Sequence, residues 1–185
     1  YYSVLNLAEN IPQVVVIMIL APFIKKFGKC NLVLAGAILT MVAQLTLLAV
    51  PANPAFVAAV AAIRGIGKAP LFGCVFTMMA DVVNYGHWKT GVRVQALIFS
   101  AATVGQKFGG GITGAIIGKL MDKSGFTGLA QEIPSAVAMV ENLYIWGTVF
   151  AWAIIIGLML AYKLEKNYDG MISDMEQKGM LKQAD

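Results

Sequence analysis

The sequence predicts an all-α, polytopic bundle of transmembrane helices with five spans. Of its 185 residues 58% are apolar and only 13% are charged, whereas ordinary globular chains carry about 25% charged residues. Mean hydropathy is +0.73. Five stretches each supply the roughly 20 mostly apolar residues that a bilayer core about 30 Å thick requires. Lys and Arg gather in the connections on one side of those stretches.

The first span covers about residues 4–24, with Glu9 as its only charge. The second covers about 32–50, inside a run from 31 to 63 that has no charged residue. Pro51 and Pro54 divide that run. Proline lacks a backbone N–H and pushes the preceding residue out of the helical region, so a tight loop is expected there. The third span, about 55–80, contains Arg64 and Lys68. The fourth, about 94–118, has Lys107 near its middle, and the fifth, about 137–162, has Glu141 near its entrance. The tail, 163–185, carries four lysines and five acidic residues among scattered Met, Ile and Leu. It reads either as a short amphipathic helix on the inner surface or as a solvated segment. Every backbone polar group inside a bilayer needs an internal partner, so each span should be a helix packed on its neighbours.

With the N-terminus outside, one side of the membrane receives Lys25, Lys26, Lys29, Lys89, Arg93, Lys163, Lys166, Lys178 and Lys182, and the other only Lys119 and Lys123. The basic side is cytoplasmic by the positive-inside rule. This predicts a multi-pass protein of the cell membrane with a cytoplasmic C-terminus and the lipid bilayer as its solvent. Net charge is +4 and the isoelectric point about 9.1, but the cations are spread between apolar runs and form no nucleic-acid patch. Cys30, Cys74 and the single His87 suit neither a disulfide framework nor a zinc site. No paired catalytic carboxylates, G-x-S-x-G or phosphate-binding glycine loop suggests an enzyme. The chain opens on Tyr1 without a signal-peptide pattern, and it is expected to be a fragment.

Cations inside a span are costly and usually face a wet cavity or a carboxylate. Lys107 shares a helix face with Thr103, and Gln106 lies beside it, a set suited to hydrogen-bonding a polyhydroxylated substrate. The alternative is a snorkelling lysine, or one paired with a carboxylate of another helix. Arg64 and Lys68 share a face at i, i+4 in a segment containing Gly65, Gly67 and Pro70, which reads as a discontinuous helix lining a cavity or as a kink whose cations reach an interface. Gly105, Gly109, Gly110, Gly114 and Gly118 recur at spacings that let helix backbones approach. The densest polar segment, Ala80 to Arg93, reads as a connection between the third and fourth spans, with a carboxylate at a helix end, interfacial aromatics and cations.

That segment, Ala80-Asp81-Val82-Val83-Asn84-Tyr85-Gly86-His87-Trp88-Lys89-Thr90-Gly91-Val92-Arg93, resembles the signature of the glycoside-pentoside-hexuronide:cation symporters, a branch of the major facilitator superfamily. His87 and Asn84 stand where the family commonly has Glu and Asp. The resemblance runs along the whole chain and implies a partial major facilitator fold, helices eight to twelve of twelve. It implies cation-coupled symport of a sugar by alternating access, with the coupling ion, Na+ or H+, bound in an N-terminal half that is the chain's missing partner. No other cofactor and no metal are implied. Lys107-Phe108-Gly109 matches the lysine of the eleventh helix, and Phe72 falls where an aromatic meets the sugar ring. Lys107, Thr103, Gln106, Phe72 and Arg64 are therefore expected at the substrate, and Asp81, Tyr85, Trp88, Lys89 and Arg93 at the cytoplasmic gate. Residues 21–29 resemble a degenerate form of the superfamily loop motif, with Lys25 where an Asp would stand. A lipid or lysolipid carrier of the same superfamily, or a noncatalytic membrane module, is the alternative reading.

Overall fold

The computed structural model describes residues 2–48, 53–128, 133–162 and 164–178. Among them the structure is helical without strands: α1 (Tyr2–Phe27), α2 (Lys29–Thr46), α3 (Pro54–Thr90), α4 (Gln95–Ser124), α5 (Pro134–Asn142), a π-helical turn (Leu143–Gly147), α6 (Thr148–Ala161), a 3₁₀ turn (Leu164–Asn167) and α7 (Tyr168–Gln177). The expected loop around Pro51 and the end of the tail lie outside the described residues.

Only Gly28 separates α1 from α2. Its φ of +82° lies in the left-handed region, where a side chain is strained, and an added Cβ would stand 2.9 Å from the Glu165 carboxylate. Pro12 and Pro22 stay inside α1, since proline is tolerated in membrane helices when neighbours satisfy the freed carbonyls.

At the start of α3, Asn53 Oδ1 accepts from the N–H groups of Ala55 at 3.0 Å and Phe56 at 3.4 Å, and Pro54 takes the first helical position, where its missing N–H costs nothing. The helix then runs 37 residues, about 55 Å at 1.5 Å per residue, well beyond a hydrocarbon core. This corrects two expectations. The Ala80–Arg93 segment is helical through Thr90, with only Gly91 to Val94 as the connection. Its polarity marks the helix leaving the apolar zone, and termination waits for Gly91 at φ +73°, whose N–H bonds His87 O at 2.8 Å. The segment around Arg64 to Pro70 is continuous helix, not a break. Its glycines serve close packing: a Cβ on Gly65 would lie 2.0 Å from Glu9 O, and one on Gly67 2.3 Å from Thr40 Oγ1.

α3 is the centre of the bundle, packed against α1 and α2, while α2 also meets α6. Leu20, Val33, Cys74 and Met78 form one buried cluster, and Ala43, Leu47 and Val60 another. Four stretches are long and apolar enough to cross a membrane: Ser3–Phe27, Lys29–Thr46, Pro54–Thr90 and Pro134–Ala161. The last is one continuous rod built of α5, the π turn and α6. α4, the expected fourth span, has the length but is not among them. It has no buried residue, and Gly105, Gly109, Gly110, Gly114 and Gly118 face open space instead of a neighbouring backbone. Met18 (79% exposed), Phe108 (69%) and Phe150 (69%) show how much hydrocarbon the bundle presents outward, as a lipid-facing surface does.

Candidate functional site

Two polar assemblies form between these helices. The first lies within the spans. Glu9, the one acidic residue of α1, faces Arg64 and Lys68, one turn apart on α3. Its Oε1 accepts from Lys68 Nζ and stands 3.4 Å from Arg64 Nη2. Arg64 is buried, its Nη1 donates to the Tyr144 hydroxyl at 2.5 Å, and its guanidinium lies 5.1 Å from the Tyr144 ring centre. Tyr144 sits in the π turn, a device that recurs at functional sites. Its carbonyl accepts from buried Gln44 Nε2 at 2.8 Å and from Thr148 Oγ1 at 2.7 Å. One carboxylate, two cations and a phenol thus join α1, α3 and the α5–α6 rod, with α2 bonded to the same tyrosine.

The second assembly lies at the lysine-rich end. Lys29 Nζ donates to Asp81 Oδ2 at 2.5 Å, joining α2 to α3, and also lies 5.2 Å from the Tyr168 ring centre. The Glu165 carboxylate accepts from the first two N–H groups of α2, those of Lys29 and, at 2.7 Å, Cys30. A carboxylate there satisfies orphan donors and complements the helix dipole. Asn84 Nδ2 donates to the Tyr168 hydroxyl at 3.2 Å, and Trp88 Nε1 to Asp174 Oδ2 at 2.6 Å. Burial pushes the Tyr168 phenol above its ordinary pKa. Hydrogen bonds from Lys178 and Trp88 hold the Asp174 carboxyl below its own. Met171 and Met175 are buried beneath α7, so the start of the tail is a docked amphipathic helix. A cavity of about 1000 Å³ opens beside it, between Tyr85, Trp88, Lys89, Tyr162 and Met171.

The sequence-derived set divides among these places. Arg64 belongs to the first assembly, and Asp81 and Trp88 to the second. Tyr85 lies 6.0 Å from Trp88, ring centre to ring centre, and 5.4 Å from Lys89 Nζ. Arg93 is exposed beyond the end of α3. Lys107, Thr103 and Gln106 ride on exposed α4, with the Thr103 hydroxyl donating to Phe99 O, and Phe72 is 56% exposed. The fold therefore does not gather these four around Arg64. Sequence reasoning omitted Glu9, Lys68 and Tyr144 from the site. Glu9 and Lys68 carried the signal of charge inside a span, while nothing marked Tyr144. Lys29, Glu165 and Asp174 were likewise outside the expected gate.

Among known proteins, the family described as MFS/sugar transport protein matches residues 1–166. The chain is 31% identical over 156 residues to the isoprimeverose transporter of Lactiplantibacillus pentosus, covering 83% of this chain and 33% of that protein. It is 31% identical over 138 residues to the glucuronide carrier protein homolog of Escherichia coli, covering 74% of this chain and 30% of the relative. A putative sulfoquinovose importer of Salmonella typhimurium is 22% identical over 164 residues, 88% of this chain and 35% of the importer. The chain thus spans about a third of the length of these curated relatives. No solved structure matches it. A bundle of membrane-length helices, ionic clusters between them, the Asp81–Arg93 signature and these matches agree: the chain belongs to the MFS/sugar transport protein family and, within it, to the glycoside-pentoside-hexuronide type of symporter.

Proposed function

We propose that this chain is the C-terminal part of a cation-coupled sugar symporter of the cell membrane, with its tail in the cytoplasm. The observation that carries the reading is the Glu9–Arg64–Lys68–Tyr144 assembly within the spans, in a chain of a sugar-transport family. Charge is kept inside a membrane bundle where a polar cargo or an ion must pass. Arg64 presents one such charge, and Lys107, Thr103, Gln106 and Phe72 are a second, exposed set that meets the sugar when the N-terminal half is opposite. Binding and movement suffice, so the chain is not an enzyme.

Alternating access rocks two halves about a midplane site. In this reading the Lys29–Asp81 pair holds the ends of α2 and α3 together on the cytoplasmic side. Tyr85, Trp88, Lys89 and Arg93 line the same mouth, and opening breaks contacts there. The coupling ion, Na+ or H+, binds mainly in the other half.

The test is uptake of radiolabelled glycosides by the complete transporter, with and without a Na+ or H+ gradient. Gradient-dependent accumulation supports symport, whereas none from inserted, folded protein overturns it in favour of an amphiphile carrier or a noncatalytic module. Lys107→Ala should abolish accumulation at unchanged membrane level. Normal accumulation by that variant would remove Lys107 from the substrate site.

A further inference from the structure

An apolar groove between α1 and α2 has the shape of a berth for one hydrocarbon chain. Only Gly28 separates the two helices, yet both pack mainly on α3 and little on each other, so they splay and leave a cleft of about 330 Å³. Ile19 and Phe23 form one wall, Leu32 and Leu39 the other, and Gly67 and Pro70 the floor. Backbone contact keeps the cleft open. A Cβ on Gly36 would stand 2.4 Å from Gly67 O and 3.1 Å from Pro70 Cγ, so α2 is pressed onto α3 and does not close over towards α1. Ile19, Phe23 and Leu39 remain about half exposed, and among the described residues no polar side chain lines the cleft.

The groove also has a direction and a depth. It runs from Phe23 and Leu32, beside the turn at Gly28, inward to Val16 and Leu39. Along α1 the distance from Lys26 to Val16 is about 15 Å at 1.5 Å per residue, half of a hydrocarbon core about 30 Å thick. It thus spans one leaflet, the one on the lysine-rich side. The line Val16, Ile19, Phe23 continues at helical spacing to Lys26, with Lys25 next to it, and both lysines are exposed. Among the described residues no carboxylate pairs with either. Glu165, which reaches Gly28, is taken up by the N–H groups of Lys29 and Cys30. Asn31, exposed at the start of α2, donates one amide N–H to Phe27 O and has a second to offer.

We propose that this groove holds one anionic phospholipid of the cytoplasmic leaflet, with an acyl chain between α1 and α2 and its phosphate on Lys26 and Lys25. The occupant follows from the combination of apolar walls over the depth of one leaflet and unpaired cations at the headgroup level. Hydrocarbon burial seats the chain, and the lysines select the charge of the headgroup. A seated chain wedges α1 and α2 beneath the Gly28 turn, close to the end where Lys29 meets Asp81. The site requires insertion with that end cytoplasmic and is independent of the sugar and of the coupling ion.

The test places the complete transporter in phosphatidylcholine nanodiscs with a trace of photoreactive lipid, either phosphatidylglycerol or phosphatidylcholine carrying a diazirine in the acyl chain, and maps crosslinks by mass spectrometry. Phosphatidylglycerol should label Ile19, Phe23 or Leu39 at least about fivefold more than phosphatidylcholine, the preference that one interfacial lysine provides. Lys25→Gln combined with Lys26→Gln should bring that ratio to about one. Phosphatidylcholine labelling of the same variant, which reports an intact groove, should not change. Ala35→Phe, filling the cleft from α2, should remove groove labelling by both lipids and leave labelling elsewhere on the bundle. Excess inorganic phosphate should leave the lipid in place. Equal labelling by the two lipids, a ratio that survives the double substitution, displacement by phosphate alone, or a groove left unlabelled because the N-terminal half covers it, each overturns the proposal and leaves the transport reading standing.

Discussion

Glu9 shows how far one side chain reaches. It is the single acidic residue in α1 and engages two cations on α3, so Glu9→Gln leaves both without their carboxylate. Breaking a fully buried pair costs about 3 to 5 kcal/mol, and these groups retain some water, so about 2 kcal/mol of stability should be lost. Thermal unfolding in detergent measures it. Asp174 is a case of the opposite kind, half-exposed and outside the spans. Its folded pKa is depressed by Lys178 and Trp88, so its contribution is complete above the ordinary carboxylate value of about 3.9 and fades as pH falls through the lower folded value. Trp88 emission, in a Trp146→Phe, Trp152→Phe background, should be steady at neutral pH and shift only in strong acid. Asp174→Asn should show the shifted emission at all pH values. Glu9 and Lys68 were visible as charges within apolar runs, but 59 positions separate them, and local pattern does not encode so distant a pairing.

At the scale of the element, glycines divide by what stands opposite them. A Cβ on Gly65 meets the Glu9 carbonyl, while one on Gly86, in the same helix, meets nothing within 4 Å. Gly65→Ala should therefore cost about 3 kcal/mol by forcing α1 off α3. Gly86→Ala should be neutral or stabilise by about 0.5 to 1 kcal/mol, since it removes unfolded-state freedom at no steric cost. Paired melting curves decide this. The Glu165 carboxylate works across elements, capping α2 from beyond α6. Glu165→Ala should cost about 1 to 2 kcal/mol and make the chain after Ala161 more sensitive to protease. As long apolar runs, α1, α2 and the α5–α6 rod were legible. The end of α3 was misplaced, because polarity beyond Ala80 was read as a turn although no strong breaker precedes Gly91.

For the molecule as a whole, orientation rests on nine basic residues against two. A phosphatase fused after residue 178 should stay inactive, and a fluorescent protein there should fold; active phosphatase would invert the topology. Class, membrane setting and family signature followed from the sequence alone, because hydropathy, charge bias and a contiguous motif are local quantities summed along the chain. Which charges neutralise each other, and which glycines touch a neighbouring helix, were decided only by tertiary structure. So were the docking of α7 through Met171, Met175 and Asp174 and the exposure of Lys107 on α4. The reason is physical: these contacts join residues tens of positions apart, and whether a buried charge finds its partner depends on how three helices cross, which no window of sequence contains.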